Sequence, residues 1–99
     1  MVLEIAEALV KEGITAGEFL SLSQKMQDEF LAKQEGFISR DLFRGENGVH
    51  GAVLKWESMD HALKAMSQAM NYPSVIGFAS VFAEGSYSVK LVDVIASYE

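Results

Sequence analysis

Residues 49–70, with the sequence VHGAVLKWESMDHALKAMSQAM, decide the fold of this chain. From Val49 to Trp56 the side chains alternate between two faces, which is the period of a β-strand. From Ser58 onward the apolar residues recur every three or four positions, as in a helix with one apolar face. Ser58 is the expected N-cap, because its hydroxyl can accept a hydrogen bond from a free amide of the first turn. The stretch therefore predicts a strand that leads directly into a helix packed on a sheet.

The composition predicts one globular domain, residues 1–99, with 49% hydrophobic residues and a single proline. Fourteen acidic and eight basic residues give a net charge of −6, which would repel a phosphate backbone, so nucleic acid is not an expected partner. The absence of cysteine excludes disulfides, thiolate metal sites and cysteine nucleophiles. No apolar run reaches the length of a membrane span, and residues 1–13 have acids within their apolar run instead of a basic leader. We therefore expect a cytoplasmic protein with no membrane partner.

The residues before this stretch predict a strand, a helix and a second strand. Val2–Val10 is rich in apolar residues and is expected to be the first strand. Thr15 and Glu18 fit a capping box, in which each side chain satisfies a free amide at a helix start, and Gly36 is the expected stop of that helix. Residues 37–44 should then pair with the strand 49–56 in an antiparallel hairpin, because residues 45–48 supply turn residues.

The residues after the second helix are less regular. Residues 71–73 break the helical pattern, since a proline disfavours a helical residue before it. Residues 74–82 fit a short helix or a strand, and we favour the short helix. Residues 86–98 are apolar on both faces over much of their length and are predicted to be the last strand.

The predicted order of elements is strand, helix, strand, strand, helix, strand. This order is the α+β ferredoxin-like arrangement, a four-stranded antiparallel sheet with two helices on one face. The other face of the sheet would be bare, although the first, third and last strands carry apolar residues on both sides. A second copy of the chain would cover that face, so we predict a homodimer.

Several segments resemble the antibiotic biosynthesis monooxygenase-like domains. They are residues 34–38 (QEGFI), the hairpin after them, residues 53–58 (VLKWES), the alanine-rich helix and the segment containing the proline. The resemblance covers nearly the whole chain. It implies a dimeric α+β barrel with a pocket between the sheet and the helices of each subunit. In that pocket, members of the family oxidise quinol-like aromatic compounds without metal or flavin, or bind and degrade haem.

The resemblance to the haem-degrading members is incomplete. These members have a tryptophan where Trp56 stands, an asparagine on the first strand and a histidine further along the second helix. Here the first strand has no asparagine, and the helix offers Met66, Gln68 and Met70 where the histidine would be expected. We therefore expect no cofactor.

His50 and Trp56 are the candidate catalytic residues, since both lie on one face of the predicted third strand. The indole can stack on a flat substrate or donate its N–H, and the imidazole can act as a general base near neutral pH. The alternative interpretation is a core tryptophan and a histidine at a solvated strand end. His50 and His61 do not have the spacing of a metal site, so no bound metal is expected.

Other residues are candidates for the wall of the substrate pocket. Leu54 shares the face of His50 and Trp56, and Met66 and Met70 can form a deformable apolar lining or simply fill the core. Tyr72 is placed near the helix side of the pocket, where its phenol can donate a proton. Arg40 and Arg44, with Asp41 between them, could anchor a ligand carboxylate or phenolate, or could face water in the hairpin.

The sequence leaves three functions open. The first is binding of an apolar or aromatic small molecule between sheet and helices, with cofactor-independent monooxygenase chemistry. The second is a module that binds a ligand or a protein without catalysis. The third is a proton-transfer isomerase or lyase, which related dimeric barrels suggest because a histidine base would serve that chemistry equally well.

Overall fold

The computed structural model describes all 99 residues as a four-stranded sheet with three helices. The elements follow the predicted order, with one short helix added before the last strand. They are β1 (Val2–Leu9), α1 (Ala16–Glu29), β2 (Phe37–Arg44), β3 (Val49–Trp56), α2 (Met59–Gln68), α3 (Pro73–Ala79) and β4 (Ser88–Asp93). The α+β ferredoxin-like fold predicted from the sequence is confirmed.

The sheet is antiparallel throughout, with the strand order β2-β3-β1-β4. β1 therefore lies between β3 and β4, and the hairpin of β2 and β3 forms one side of the sheet. Trp56 and Val2 are opposite each other in the register and are each 1% exposed. With Phe30, Leu31 and the alanines of α2, they form the main hydrophobic cluster between sheet and helices.

Both predicted helix starts are present. Thr15 and Glu18 form the complete capping box, and the Ser58 hydroxyl accepts a hydrogen bond from the His61 amide. The end of α1 differs from the prediction, because the helix stops at Glu29 and a single 3-10 turn follows at Leu31–Lys33. A continued helix would turn by roughly 100° between consecutive residues, whereas this break lets Phe30 and Leu31 both be buried.

Gly36 acts as a turn residue before β2 and not as the cap of α1. Its φ of +81° lies in the left-handed region, which costs glycine nothing. A Cβ atom at this position would also lie 2.3 Å from Cγ of His61. The side chain of His61 is therefore packed against Gly36, with Nδ1 at 2.7 Å from the Ser58 hydroxyl.

The end of the chain also differs from the prediction. Residues 74–82 contain the favoured short helix, α3, but β4 covers only Ser88–Asp93 of the expected 86–98. β4 pairs with β1 alone, and Asp93 is opposite Val2. The amide of Val94 donates to the carbonyl of Met1, and no residue of β1 remains to pair with the residues after it.

The face of the sheet away from the helices carries many apolar side chains. The register places Leu3, Ile5, Val53 and Val92 side by side on it, and the ring of Phe43 lies over Gly51, where a Cβ would lie 2.3 Å from it. Val92 is 37% exposed in the single chain. None of the helices is long and apolar enough to cross a membrane.

Candidate functional site

A cavity of about 540 Å³ lies between the helix-covered face of the sheet and the three helices. Of its 28 lining residues 21 are hydrophobic, so an apolar molecule would fit it better than a sugar or a nucleotide. Its aromatic wall consists of Phe19 from α1, Phe78 from α3 and Phe82 beyond it, whose ring centroids are 5.2–6.0 Å apart. Leu54 of β3, Met66 of α2 and Met70 of the 3-10 turn at Ala69–Asn71 also line the cavity.

On the sheet side of the cavity, two residues of opposite charge lie in one row that crosses three strands. Arg40 of β2 is opposite Leu54 of β3, and Leu54 is opposite Glu4 of β1. Arg40 and Glu4 are thus two strands apart, roughly 10 Å between Cα atoms, with Leu54 between them. All three line the cavity.

Glu4 is a buried carboxylate, 8% exposed, on the face of β1 that looks toward the helices. The indole N–H of Trp56 donates a hydrogen bond to Oε1 of Glu4 at 3.0 Å. Burial raises the pKa of Glu4 above its ordinary value of 4.5, and the Trp56 hydrogen bond only partly opposes this effect. Glu4 is therefore a carboxylate whose proton affinity is increased in an apolar cavity.

Tyr87 stands near Glu4 on the loop between α3 and β4 and lines the same cavity. Desolvation and the nearby Glu4 carboxylate raise the pKa of Tyr87, although 60% of the residue remains exposed. Its phenol therefore stays protonated at neutral pH and can donate a hydrogen bond toward a ligand.

Trp56 fits both interpretations given by the sequence. It is a core residue, with its ring 5.5 Å from that of Phe37, and it also lines the cavity. Its N–H is already donated to Glu4, so it is not free for a substrate. Trp56 can therefore influence chemistry in the cavity by holding the carboxylate of Glu4.

His50 lies at the other end of β3 from Trp56 and lines the opposite end of the cavity. The two residues are six positions apart, about 20 Å along β3, so the structure does not bring the two candidate catalytic residues together. The imidazole Nδ1 is 3.1 Å from the carbonyl of Gly48, and its ring is 5.0 Å from that of Phe19. Because a carbonyl only accepts, Nδ1 is the donor in the neutral ring and Nε2 is left as an acceptor.

Tyr72 lies outside the lining of this cavity. Its ring packs against that of Phe30 at 4.7 Å, and Phe30 stands between it and the cavity. Tyr72 instead lines a smaller depression with Lys33 and His61. It supports the wall of the main cavity from behind.

Arg40 reaches from β2 to α1. Its Nη2 donates to the carbonyl of Ser23 at 3.0 Å and also to the Ser23 hydroxyl. Its guanidinium carbon lies 5.9 Å from the centroid of the Phe78 ring. Nη1 is buried and has no hydrogen-bond partner, and burial lowers the pKa of Arg40.

Sequence reasoning alone assigns no role to Glu4, which lies within the apolar first strand. The available signal was its spacing: Val2, Glu4, Ala6 and Ala8 lie on one face of β1, and Val2 and Ala8 are buried. An acid in the middle of a buried face requires a partner or a function.

The lining of the cavity offers neither the asparagine nor the helix histidine of the haem-degrading members, so it does not match a haem site of that kind.

No family model matches the chain, and no curated protein matches it by sequence. Solved structures do match its fold. SnoaB, a cofactor-independent oxygenase from Streptomyces nogalater, has a TM-score of 0.77 at 18% identity, over 97% of this chain and 94% of its own. A protein from Caulobacter crescentus CB15, provisionally assigned as an antibiotic biosynthesis monooxygenase, has a TM-score of 0.75 at 16% identity, over 96% and 90%.

A third structure, of an antibiotic biosynthesis monooxygenase, has a TM-score of 0.73 at 15% identity, over 97% of this chain and all of that one. The resemblance seen in the sequence is thus confirmed for the fold, which this chain shares with antibiotic biosynthesis monooxygenase proteins. Identities this low show the fold alone.

Proposed function

We propose that this chain binds an aromatic small molecule between its sheet and its helices and oxidises it with dioxygen, without a cofactor. The observation that carries the proposal is a buried carboxylate, Glu4, in a cavity whose lining is otherwise mostly apolar. The fold supports it as well, because SnoaB is an oxygenase of this kind.

The proposed first step is removal of a proton from a phenolic or quinol-like hydroxyl of the ligand. Glu4 is the proposed acceptor, since burial raises its pKa above the ordinary value, and a base with a raised pKa is better suited to general-base catalysis near neutral pH. Trp56 would keep the carboxylate oriented through the bond to Oε1. His50, with its free Nε2, is a second candidate for the acceptor, at the other end of the cavity.

The proposed second step is oxidation of the resulting anion. The electron-rich phenolate reacts with dioxygen at a ring carbon that bears hydrogen, and loss of water leaves a carbonyl at that carbon. The apolar wall would help by excluding bulk water from the anion. The chain would need to supply only the base and the enclosure.

Oxygen uptake tests the proposal directly. Purified protein is mixed with a panel of anthrones and naphthols, and dioxygen consumption and quinone formation are followed together. We expect one quinone for each dioxygen, with kcat reduced at least 10-fold in Glu4→Gln, since removal of a general base typically costs a factor of about 10²–10⁴. Glu12→Gln, at an exposed position outside the cavity, is the matched control.

The variants and products also separate the rival functions. Loss of activity in His50→Ala but not in Glu4→Gln would transfer the role of base to His50. Product formation without oxygen uptake would indicate a proton-transfer isomerase or lyase. Binding without turnover across the panel would indicate a binding module and would contradict the oxygenase proposal.

A further inference from the structure

Arg40 is a partly buried cation whose Nη1 is fully enclosed, and no anion of the chain pairs with it. A guanidinium stays protonated in proteins, and buried charges are ordinarily paired. The pKa of Arg40 is lowered by burial alone. The pKa of Glu4, the buried acid in the same row, is shifted by burial and by the Trp56 hydrogen bond, with no contribution from Arg40. No ion pair therefore joins the two charges that line the cavity.

The hydrogen bonds of Arg40 leave part of its binding capacity unused. Nη2 is held by the carbonyl and the hydroxyl of Ser23, a residue of α1 that is 2% exposed. Nη1 is enclosed without any acceptor. Buried donors are satisfied in the great majority of proteins, so this orphaned group needs an explanation.

The position of Arg40 points to a ligand as the missing acceptor. The side chain lines the cavity, and its guanidinium lies over Phe78, one of the three phenylalanines of the aromatic wall. A planar guanidinium held at Nη2 is suited to bind a carboxylate, because its N–H donors have a fixed geometry. Nη1 has no surface open to solvent, so a neighbouring side chain must move before a carboxylate can reach it.

We propose that Arg40, held by Ser23, is an anion-binding subsite and that the ligand of this cavity is an aromatic carboxylic acid. Its carboxylate lies at Arg40 and its ring system lies against the aromatic wall. Its hydroxyl points across Leu54 toward Glu4, which is roughly 10 Å from Arg40 between Cα atoms. This inference rests on the proposed function in one respect, that the cavity binds an aromatic ligand.

The test compares an acid with its neutral ester. Binding of 6-hydroxy-2-naphthoate and of methyl 6-hydroxy-2-naphthoate is measured by isothermal titration calorimetry at neutral pH. In the wild-type protein, we expect the acid to bind at least 10-fold more tightly than the ester. In Arg40→Met we expect this preference to disappear while the affinity for the ester changes less than 2-fold.

Two further variants serve as controls. Arg44→Met removes an arginine from the same strand that is exposed and does not line the cavity, and it should leave both affinities unchanged. Arg40→Lys keeps the charge without the planar fork, and it should retain a reduced preference for the acid. It also serves as the second variant if Arg40→Met does not fold.

Each outcome has a separate meaning. Equal binding of acid and ester by the wild-type protein would overturn the anion subsite and leave the aromatic cavity intact. A preference for the acid that survives in Arg40→Met would also overturn it, because another group would then hold the carboxylate. Binding of neither compound would contradict the proposed ligand site as a whole, and the subsite with it.

Discussion

Among single residues, Glu4 is the one on which the proposed proton transfer depends. An ionised carboxylate in an apolar cavity is unfavourable, and the single hydrogen bond from Trp56 offsets only part of that cost. Functional sites often retain such groups because a raised pKa suits proton transfer. The raised pKa of Glu4 must therefore also make the stability of the protein depend on pH.

The sign of the effect follows from the direction of the shift. The unfolded chain releases the proton of Glu4 near the ordinary pKa of 4.5, whereas the folded chain holds it to higher pH. Between these two pKa values the folded state binds more protons, so its stability falls as the pH rises. Below 4.5 both states are protonated, and Glu4 imposes no penalty from ionisation.

Glu4→Gln should remove this pH-dependent penalty. The glutamine oxygen can still accept the Trp56 N–H, but no charge is buried. We expect the variant to be more stable than the wild-type protein at pH 7, because folding no longer places an ionised group in the apolar cavity. Near pH 4 the two should be nearly equal.

Urea unfolding at several pH values measures the difference. Glu12→Gln, which changes an exposed acid in the loop after β1, should follow the wild-type protein at every pH. A Glu4→Gln variant that is less stable than the wild-type protein at pH 7 would show that the carboxylate stabilises the fold, and the argument for a raised pKa would fail.

At the scale of elements, most of the fold follows from local sequence signals. Three local features mark boundaries through bonds between residues close in sequence: the cap at Ser58 after Trp56, the capping box at Thr15 and the backbone turn at residues 45–48. The early end of α1 and the short β4 depend on tertiary contacts. They follow from the burial of Phe30 and from where β1 begins, and neither is visible in the local sequence.

The candidate site was less predictable than the fold for the same reason. The alternation of side chains along residues 49–56 indicates that His50 and Trp56 share a strand face. Their separation along that strand decides whether they can act together. Glu4, Arg40 and Leu54 come from three strands and meet through the register. Ser23 joins them through the packing of α1 on β2. A single sequence does not specify these non-local pairings.

The sheet itself carries a prediction about assembly. Its outer face presents Ile5 beside Val53 and Leu3 beside Val92, and we expect two chains to pack these faces together about a two-fold axis. Val53→Lys would place a charge in the middle of that face. We expect the wild-type protein to sediment at twice the chain mass, and Val53→Lys to shift toward the mass of one chain.

The matched control for this change is Leu63→Lys on α2. Leu63 is 50% exposed on the helix side, so the same charge there should leave the assembly unchanged. A wild-type protein that sediments as a single chain at all concentrations would contradict the predicted dimer. Circular dichroism separates dissociation from loss of folding in Val53→Lys. A dissociated but folded chain keeps its helical signal, whereas an unfolded chain loses it.

At the scale of the whole molecule, the fold combines a rigid sheet with a mostly apolar cavity under three helices. The sheet fixes Arg40 and Glu4 in one row, and the helices supply the aromatic and methionine wall. The two charges lie on the same side of the cavity and remain apart. This arrangement is suited to a flat ligand with an acid at one end and a hydroxyl at the other.

The most direct test of the ligand site uses the single tryptophan of the chain. Trp56 is 1% exposed and lines the cavity, so its emission should be blue-shifted and should respond to a bound ring system. Fluorescence is recorded without oxygen while 1,8-dihydroxyanthrone is added, and N-acetyltryptophanamide corrects for absorption by the ligand. We expect saturable quenching at one ligand per chain. Emission that neither this compound nor a panel of naphthols, flavonoid-like phenols and lactones disturbs would contradict it, and Trp56 would then be a core residue alone.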